Sequence, residues 1–309
     1  MNPQGIDVSH FTVSGIGELL WDIFPTHRRV GGAPANFAFH TQQLGAESWP
    51  VSCIGKDADG EALRGHLLTN GVNIRYIKEC SSSPTGTVNV TLKGGKPTYT
   101  IQEDVAWDHI PFTPDLQELA QRLDAVCFGS LSQRSPLSRK SIHDFLRAMP
   151  QGALKILDVN LRPPFYSREQ IRESLELANI LKLSDEELPE LAQMFELEGG
   201  VSDQLRQLVD LFNLRLVAYT RGAMGSLIVG MEEMHDFPGR EDEVIDTVGA
   251  GDSFTSALCM GLLHGWSLCH VNRFANEVAS FVCSQKGATP TMPAYLKSYC
   301  QYSQSAIVS

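Results

Sequence analysis

Basic excess is missing from this chain of 309 residues: 25 Lys and Arg stand against 36 Asp and Glu, a formal net charge of −11. A surface of that sign gives no general affinity for nucleic acid or for an anionic membrane, and neither is expected as a partner. No apolar run is long enough to cross a bilayer. Residues 1–10 are polar and lack the basic-then-apolar layout of a secretory leader, so the expected compartment is the cytoplasm. The seven cysteines, an odd number, include no C-x-x-C pair. That pattern removes a disulfide frame and a structural zinc site, and reads as reduced thiols. Nine histidines include no pair spaced i, i+4, and no G-x-S-x-G elbow occurs, so zinc-site and serine-hydrolase chemistry have no visible anchor. Two phosphate-loop patterns also fail. After Gly15 and Gly17 the third glycine of a dinucleotide fingerprint would fall at Leu20, and before Gly94-Gly95-Lys96 the earlier glycine of a P-loop would fall at Val90. Repeats and low-complexity tracts are absent as well.

What is present centres on residues 246–254, D-T-V-G-A-G-D-S-F, followed by an apolar stretch. Phe254, Ala257, Leu258 and Leu262 recur with a helical period, so a glycine-rich turn opens a helix. Gly249 and Gly251 admit backbone conformations that a Cβ forbids, letting several N–H groups point into one space. The first N–H groups of a helix lack internal partners and its dipole attracts anions, so a phosphate can be held there without a cationic side chain. Asp252 stands at the mouth of that anion site. It is either a helix cap or a base that takes a proton from a hydroxyl while the amides hold a transferring phosphoryl group.

The rest of the chain reads as alternating strands and helices. A first strand covers residues 11–17, and Gly31-Gly32-Ala33-Pro34 then opens a helix that stops at Gly45, with Asn36 on its first turn. Another strand, 51–55, leads into a helix ending near Asn70 and Gly71. Residues 74–102 change to period two, with strands at 87–92 and 98–101 joined by a turn at 93–96. Strands are expected at 125–129, 154–159, 180–183, 216–220 and 226–229, with helices at 138–149, 168–178, 186–195, 201–211 and a last one at 276–282. That order implies a mostly parallel sheet with helices on both faces and a ligand beyond the carboxyl ends of the strands. Candidate groups fall there: Asp158, Asn160 and Arg162 at one strand exit, Thr220, Arg221, Gly222 and Gly225 at another. Ser184 and Glu187 form the pattern of a capping box.

Residues 246–254 resemble the D-T-x-G-A-G-D-x-F motif of the ribokinase-like (PfkB) sugar kinases. Gly31, Gly32, Asn36, Ala38, Leu44 and Gly45 match the family's other motif, G-G-x-x-x-N-x-A-x-x-x-x-x-L-G. The resemblance runs from about residue 11 to 292 and implies a single α/β domain over 1–309. Its fold would be a ribokinase-like three-layer one, a mostly parallel central sheet flanked by helices. A small β-sheet lid from segments near 18–30 and 74–106 would cover the sugar and pair two copies of the chain. The implied activity is transfer of the γ-phosphoryl of ATP to a sugar hydroxyl. Asp252 would be the base, and Gly249, Ala250 and Gly251 the anion hole. Asp22, Gly31, Gly32, Asn36, Ala106, Asp158, Asn160 and Arg162 would face the sugar. Ser184, Glu187, Thr220, Arg221, Gly222, Gly225 and Asn276 would face the nucleotide. Glu187 would order Mg²⁺ through water, though Ser184 departs from the family's usual Asn. Asp246, with carbonyls of Val248, Val282, Gln285 and Gly287, would surround K⁺. The strand exit around Asp22, Arg162 and Ser184 is similar to fructokinases, which makes fructose the expected sugar. A 2-keto-3-deoxygluconate, ribose or nucleoside kinase is the alternative, and a sugar sensor without catalysis the alternative of another class.

Overall fold

The computed structural model describes residues 11–93, 96–239 and 243–302. In chain order the elements are β1 (Thr12–Ile16), β2 (Leu20–Ile23), β3 (Arg28–Gly31), α1 (Ala33–Gln43), β4 (Glu47–Gly55), α2 (Ala58–Thr69) and β5 (Ile77–Cys80). Then come β6 (Gly86–Lys93), β7 (Lys96–Ile101), α3 (Pro114–Ala120), β8 (Ala125–Phe128), α4 (Pro136–Ala148), β9 (Leu154–Asp158), α5 (Arg168–Leu177) and β10 (Ile180–Ser184). The remainder is α6 (Leu188–Phe195), α7 (Val201–Phe212), β11 (Leu216–Thr220), β12 (Ser226–Gly230), β13 (Met234–Phe237), α8 (Ala250–Leu263), α9 (Leu268–Cys283) and α10 (Ala294–Tyr302).

Nine strands form the large sheet in the order β13-β12-β11-β10-β9-β8-β1-β4-β5. All pairings from β11 to β5 are parallel, and β12 and β13 extend the edge as antiparallel strands. Alternate residues leave opposite faces of a strand, and here each face feeds its own core. In β8, Val126 and Phe128 join the cluster with α3–α7, while Ala125 and Cys127 join the one with α1, α8 and α9. Leu227 and Val229 against Ile228 repeat the division in β12. Burial on both faces explains why these strands read as continuous apolar runs. No helix among the described residues is long and apolar enough to cross a membrane.

A second, four-stranded sheet has the order β3-β2-β6-β7. It is mixed: β2 pairs parallel with β6, and its other pairs are antiparallel. The expected hairpin is β6–β7, and Gly94 and Gly95 of its turn lie outside the described residues. The expected helix 276–282 begins eight residues earlier, at Leu268, where the Ser267 hydroxyl caps it by accepting the His270 N–H at 3.4 Å. The helix expected from residue 186 begins at Leu188, so Ser184 does not cap it. Only the reverse half of that box forms: the Glu187 carboxylate accepts the Ser184 N–H at 2.8 Å.

Candidate active site

Two helix starts meet beneath the small sheet. Gly32, with φ 120°, opens α1; a Cβ there would lie 2.3 Å from the Glu18 carbonyl oxygen. Gly249, with φ 80°, opens α8; a Cβ there would lie 2.6 Å from the Ala288 oxygen. Both positions demand glycine by conformation and by space. Ala288 is held in turn by His40, whose Nε2 sits 2.8 Å from the Ala288 carbonyl oxygen. Burial pushes the His40 imidazole down to about 4. The ring is therefore neutral, and its Nε2–H donates. The Ser256 hydroxyl donates to the Phe37 carbonyl at 3.2 Å, stapling α8 to α1 one turn deeper.

This junction floors a cavity of about 950 Å³, roofed by Val88, Val90 and Ile101 of the small sheet. Asp252 is recessed in the floor and accepts a hydrogen bond from Asn36 Nδ2 at 2.7 Å. Loss of water pushes its carboxyl up to about 7, with the Asp158 charge adding to the rise and the Asn36 bond and Lys182 opposing it. A carboxylate poised near neutrality is suited to accept a proton. Beside it, Lys182 Nζ pairs with Asp158 Oδ1 at 3.1 Å, and the Thr255 hydroxyl donates to Asp158 Oδ2 at 3.1 Å. Burial pulls the Lys182 ammonium down, but the Asp158 and Glu187 carboxylates outweigh it and hold the group protonated. A Cβ on Gly251 would come within 3.0 Å of that Nζ, so the ammonium stands against the first turn of α8.

Carboxylates and a guanidinium face each other on the wall around Asp22. Burial pushes Asp22 up to about 6, against the lowering charges of Arg162 and Arg29. Glu18, 3% exposed, is also pushed up by burial, and its Oε2 has no hydrogen-bond partner. Gly31, Gly32, Asn160 and Arg162 complete that wall.

The expected residues therefore divide. Asp22, Gly31, Gly32, Asn36, Asp158, Asn160, Arg162, Val248, Gly249, Gly251 and Asp252 line one cavity. Ala250 is the first residue of α8, next to it. Glu187 sits behind the wall, one oxygen accepting the Leu161 N–H at 2.9 Å and the other that of Ser184, which joins the exits of β9 and β10. Arg221 reaches Asp236 and the Phe237 carbonyl, tying Thr220 and the turn Gly222–Met224 to β13. Asn276 donates to the Ser226 hydroxyl at 2.6 Å, and Ala106 is buried in the core; neither lines the cavity. The wall also contains three residues that sequence reasoning passed over: Glu18, Arg29 and Lys182. Lys182 carried a signal, since a lysine inside the apolar strand Ile-Leu-Lys-Leu-Ser must find a buried partner.

The profile of the pfkB family carbohydrate kinases matches residues 6–294. A protein of Pyrococcus horikoshii named as a sugar kinase is 31% identical over 92% of this chain and 94% of its own length. Its crystal structure in complex with ATP superposes with a TM-score of 0.79, covering 92% of this chain and 95% of that one. An ATP-dependent 6-phosphofructokinase of Thermoanaerobacterium thermosaccharolyticum is 27% identical over 93% of this chain and 92% of that protein. A fructokinase of Escherichia coli is 29% identical over 80% and 83%. With the glycine turn that opens α8, the recessed aspartate and this match across nearly the whole sequence, the chain belongs to the pfkB family of carbohydrate kinases and is an ATP-dependent sugar kinase.

Proposed function

We propose that the chain phosphorylates a neutral ketohexose, D-fructose, on its primary hydroxyl. The observation that carries the phosphoryl transfer is Asp252, held by Asn36 at the foot of α8 with its carboxyl raised to about 7. Asp252 takes the hydroxyl proton, and the freed oxygen attacks the γ-phosphorus as the bond to the ADP oxygen breaks. ADP leaves with the electron pair, and the proton on Asp252 passes to solvent. Charge on the phosphoryl oxygens meets the amides of residues 249–252 and the Lys182 ammonium, fixed dipoles and charge that need no rearrangement. Mg²⁺ would neutralise the ATP phosphates. Among the described residues no group of three or more His, Cys, Asp and Glu forms a metal cage. A hard cation that keeps most of its waters and binds chiefly to phosphates fits such a surface, and Glu187, behind the wall at the exits of β9 and β10, would order those waters. Val88, Val90 and Ile101 of the small sheet act as a lid that keeps water from the γ-phosphorus.

Asp22 and Asn36 supply paired acceptors and donors for vicinal hydroxyls. The similarity to the fructokinase of Escherichia coli supports a neutral ketohexose over the anionic 2-keto-3-deoxygluconate. The test is ADP release from Mg·ATP with fructose, fructose 6-phosphate, 2-keto-3-deoxygluconate, ribose and adenosine. Turnover on fructose with the highest kcat/KM supports the reading. Preference for any other member overturns fructose and leaves the phosphoryl transfer standing.

A further inference from the structure

Asp246 lies just before the glycine turn, and its expected role is to help surround a monovalent cation with nearby carbonyls. Its surroundings fit that ion poorly. Arg29 Nη1 of β3 lies 2.6 Å from Asp246 Oδ2, and the same oxygen accepts the Gly287 N–H at 3.1 Å. Asp246 Oδ1 accepts the Val248 N–H at 3.1 Å. The Val282 carbonyl accepts the Gln285 N–H at 3.0 Å. The ion pair is largely shielded, the arginine side chain 34% and the aspartate 17% exposed. A potassium ion against this carboxylate would have to share it with a guanidinium at contact distance, and like charges repel there.

Arg29 also belongs to the roof of the cavity. It is the cross-strand partner of Asp22, and its guanidinium lies over the Phe24 ring, 5.5 Å from the centroid. Through Asp246 the residue thus joins three pieces: the small sheet, the approach to the glycine turn, and the loop after α9. We propose that Arg29 is a built-in substitute for the monovalent cation, a positioning residue that neutralises Asp246 and sets the turn at residues 246–249 only when the small sheet is seated. The inference rests on the catalytic reading of that turn.

The experiment compares wild type, Arg29→Ala and Arg29→Lys in KCl and in choline chloride at equal ionic strength. Two readouts are taken: kcat for the best panel sugar, and the Tm of the ligand-free protein. Wild type is expected to show the same kcat and Tm in both salts. Arg29→Ala should lose about 10²-fold in kcat in choline, the scale of a displaced catalytic group. It should recover on addition of K⁺ or guanidinium ion, and its Tm should rise in KCl. Arg29→Lys should stay independent of K⁺. Activation or thermal stabilisation of the wild type by K⁺ overturns the proposal, as does an Arg29→Ala enzyme that is fully active in choline or unresponsive to both ions. Should no panel sugar be turned over, the catalytic reading of the site falls, while the wild-type Tm comparison still decides the ion question.

Discussion

Asn36 and Asp252, 216 positions apart in the chain, meet through a 2.7 Å hydrogen bond between the first turns of α1 and α8. That bond joins the residue expected to hold the sugar to the residue expected to activate it. On the proposed mechanism, binding and proton abstraction share one donor, and disturbing either side is felt by the other.

Asp252→Asn tests the base directly. Its kcat should fall by ~10²–10⁴, the range for a missing general base. Sugar affinity, measured by calorimetry, should stay close to wild type, because the amide can still pair with Asn36. Wild-type turnover in this variant would remove Asp252 from the mechanism.

The pH profile follows from the raised carboxyl. Asp252 is competent when deprotonated, so kcat/KM should rise through about pH 7 and level off above it. In Asn36→Ala the bond that favours the charged form is gone. The acid limb should then move to higher pH, and a limb unmoved by that change would dissociate the pair.

Stability carries the opposite sign. A carboxyl raised from 3.8 to about 7 on folding binds more protons in the native state, so its contribution is full below 3.8 and is lost as pH rises through 7. Asp252→Asn should therefore be more stable than wild type at pH 8, with the gap closing toward pH 4. Thermal unfolding at the two values reads it; a variant less stable at both would contradict the burial argument.

How much of this was legible in the sequence depended on sequence distance. Gly249, Gly251 and Asp252 announce an anion turn because spacing, glycine freedom and helix period all act within nine residues. Gly32 and Asn36 do the same for α1. Arg29 reads as an exposed arginine before a glycine pair, and nothing local points to Asp246. Glu18 hides inside an apolar run. The start of α9 at Leu268 was missed because Cys269, His270 and Asn272 dilute the apolar pattern. Asn272 is in fact buried, spending its amide on Ser226 and the His235 carbonyl.

Lys182→Met should separate charge from packing. Leaving Asp158 unpaired in the interior costs about 3–5 kcal/mol by the usual scale for a broken buried ion pair. The double variant Lys182→Met/Asp158→Asn should regain much of that stability without regaining kcat. Recovery of both would mean that the ammonium serves the fold alone.

Gly249→Ala should lower both Tm and kcat. A left-handed alanine costs roughly 1–2 kcal/mol, and its methyl would press on the Ala288 carbonyl. Retained kcat in a folded variant would show that the turn tolerates movement.

The core beneath α1 and α8 has a temporal side. It gathers Val13 and Phe37 from the start of the chain with Phe254, Leu258 and Phe274 from its far end. While the polypeptide is being synthesised, α1 alone therefore covers that face of the growing sheet until residues beyond 250 emerge. Contacts of such long range close slowly, and exposed apolar strands invite association with other chains. The side of the sheet that carries α8 is thus the last to be fully covered, and a ribosome-bound chain that stops short of α8 would present it to any chaperone within reach.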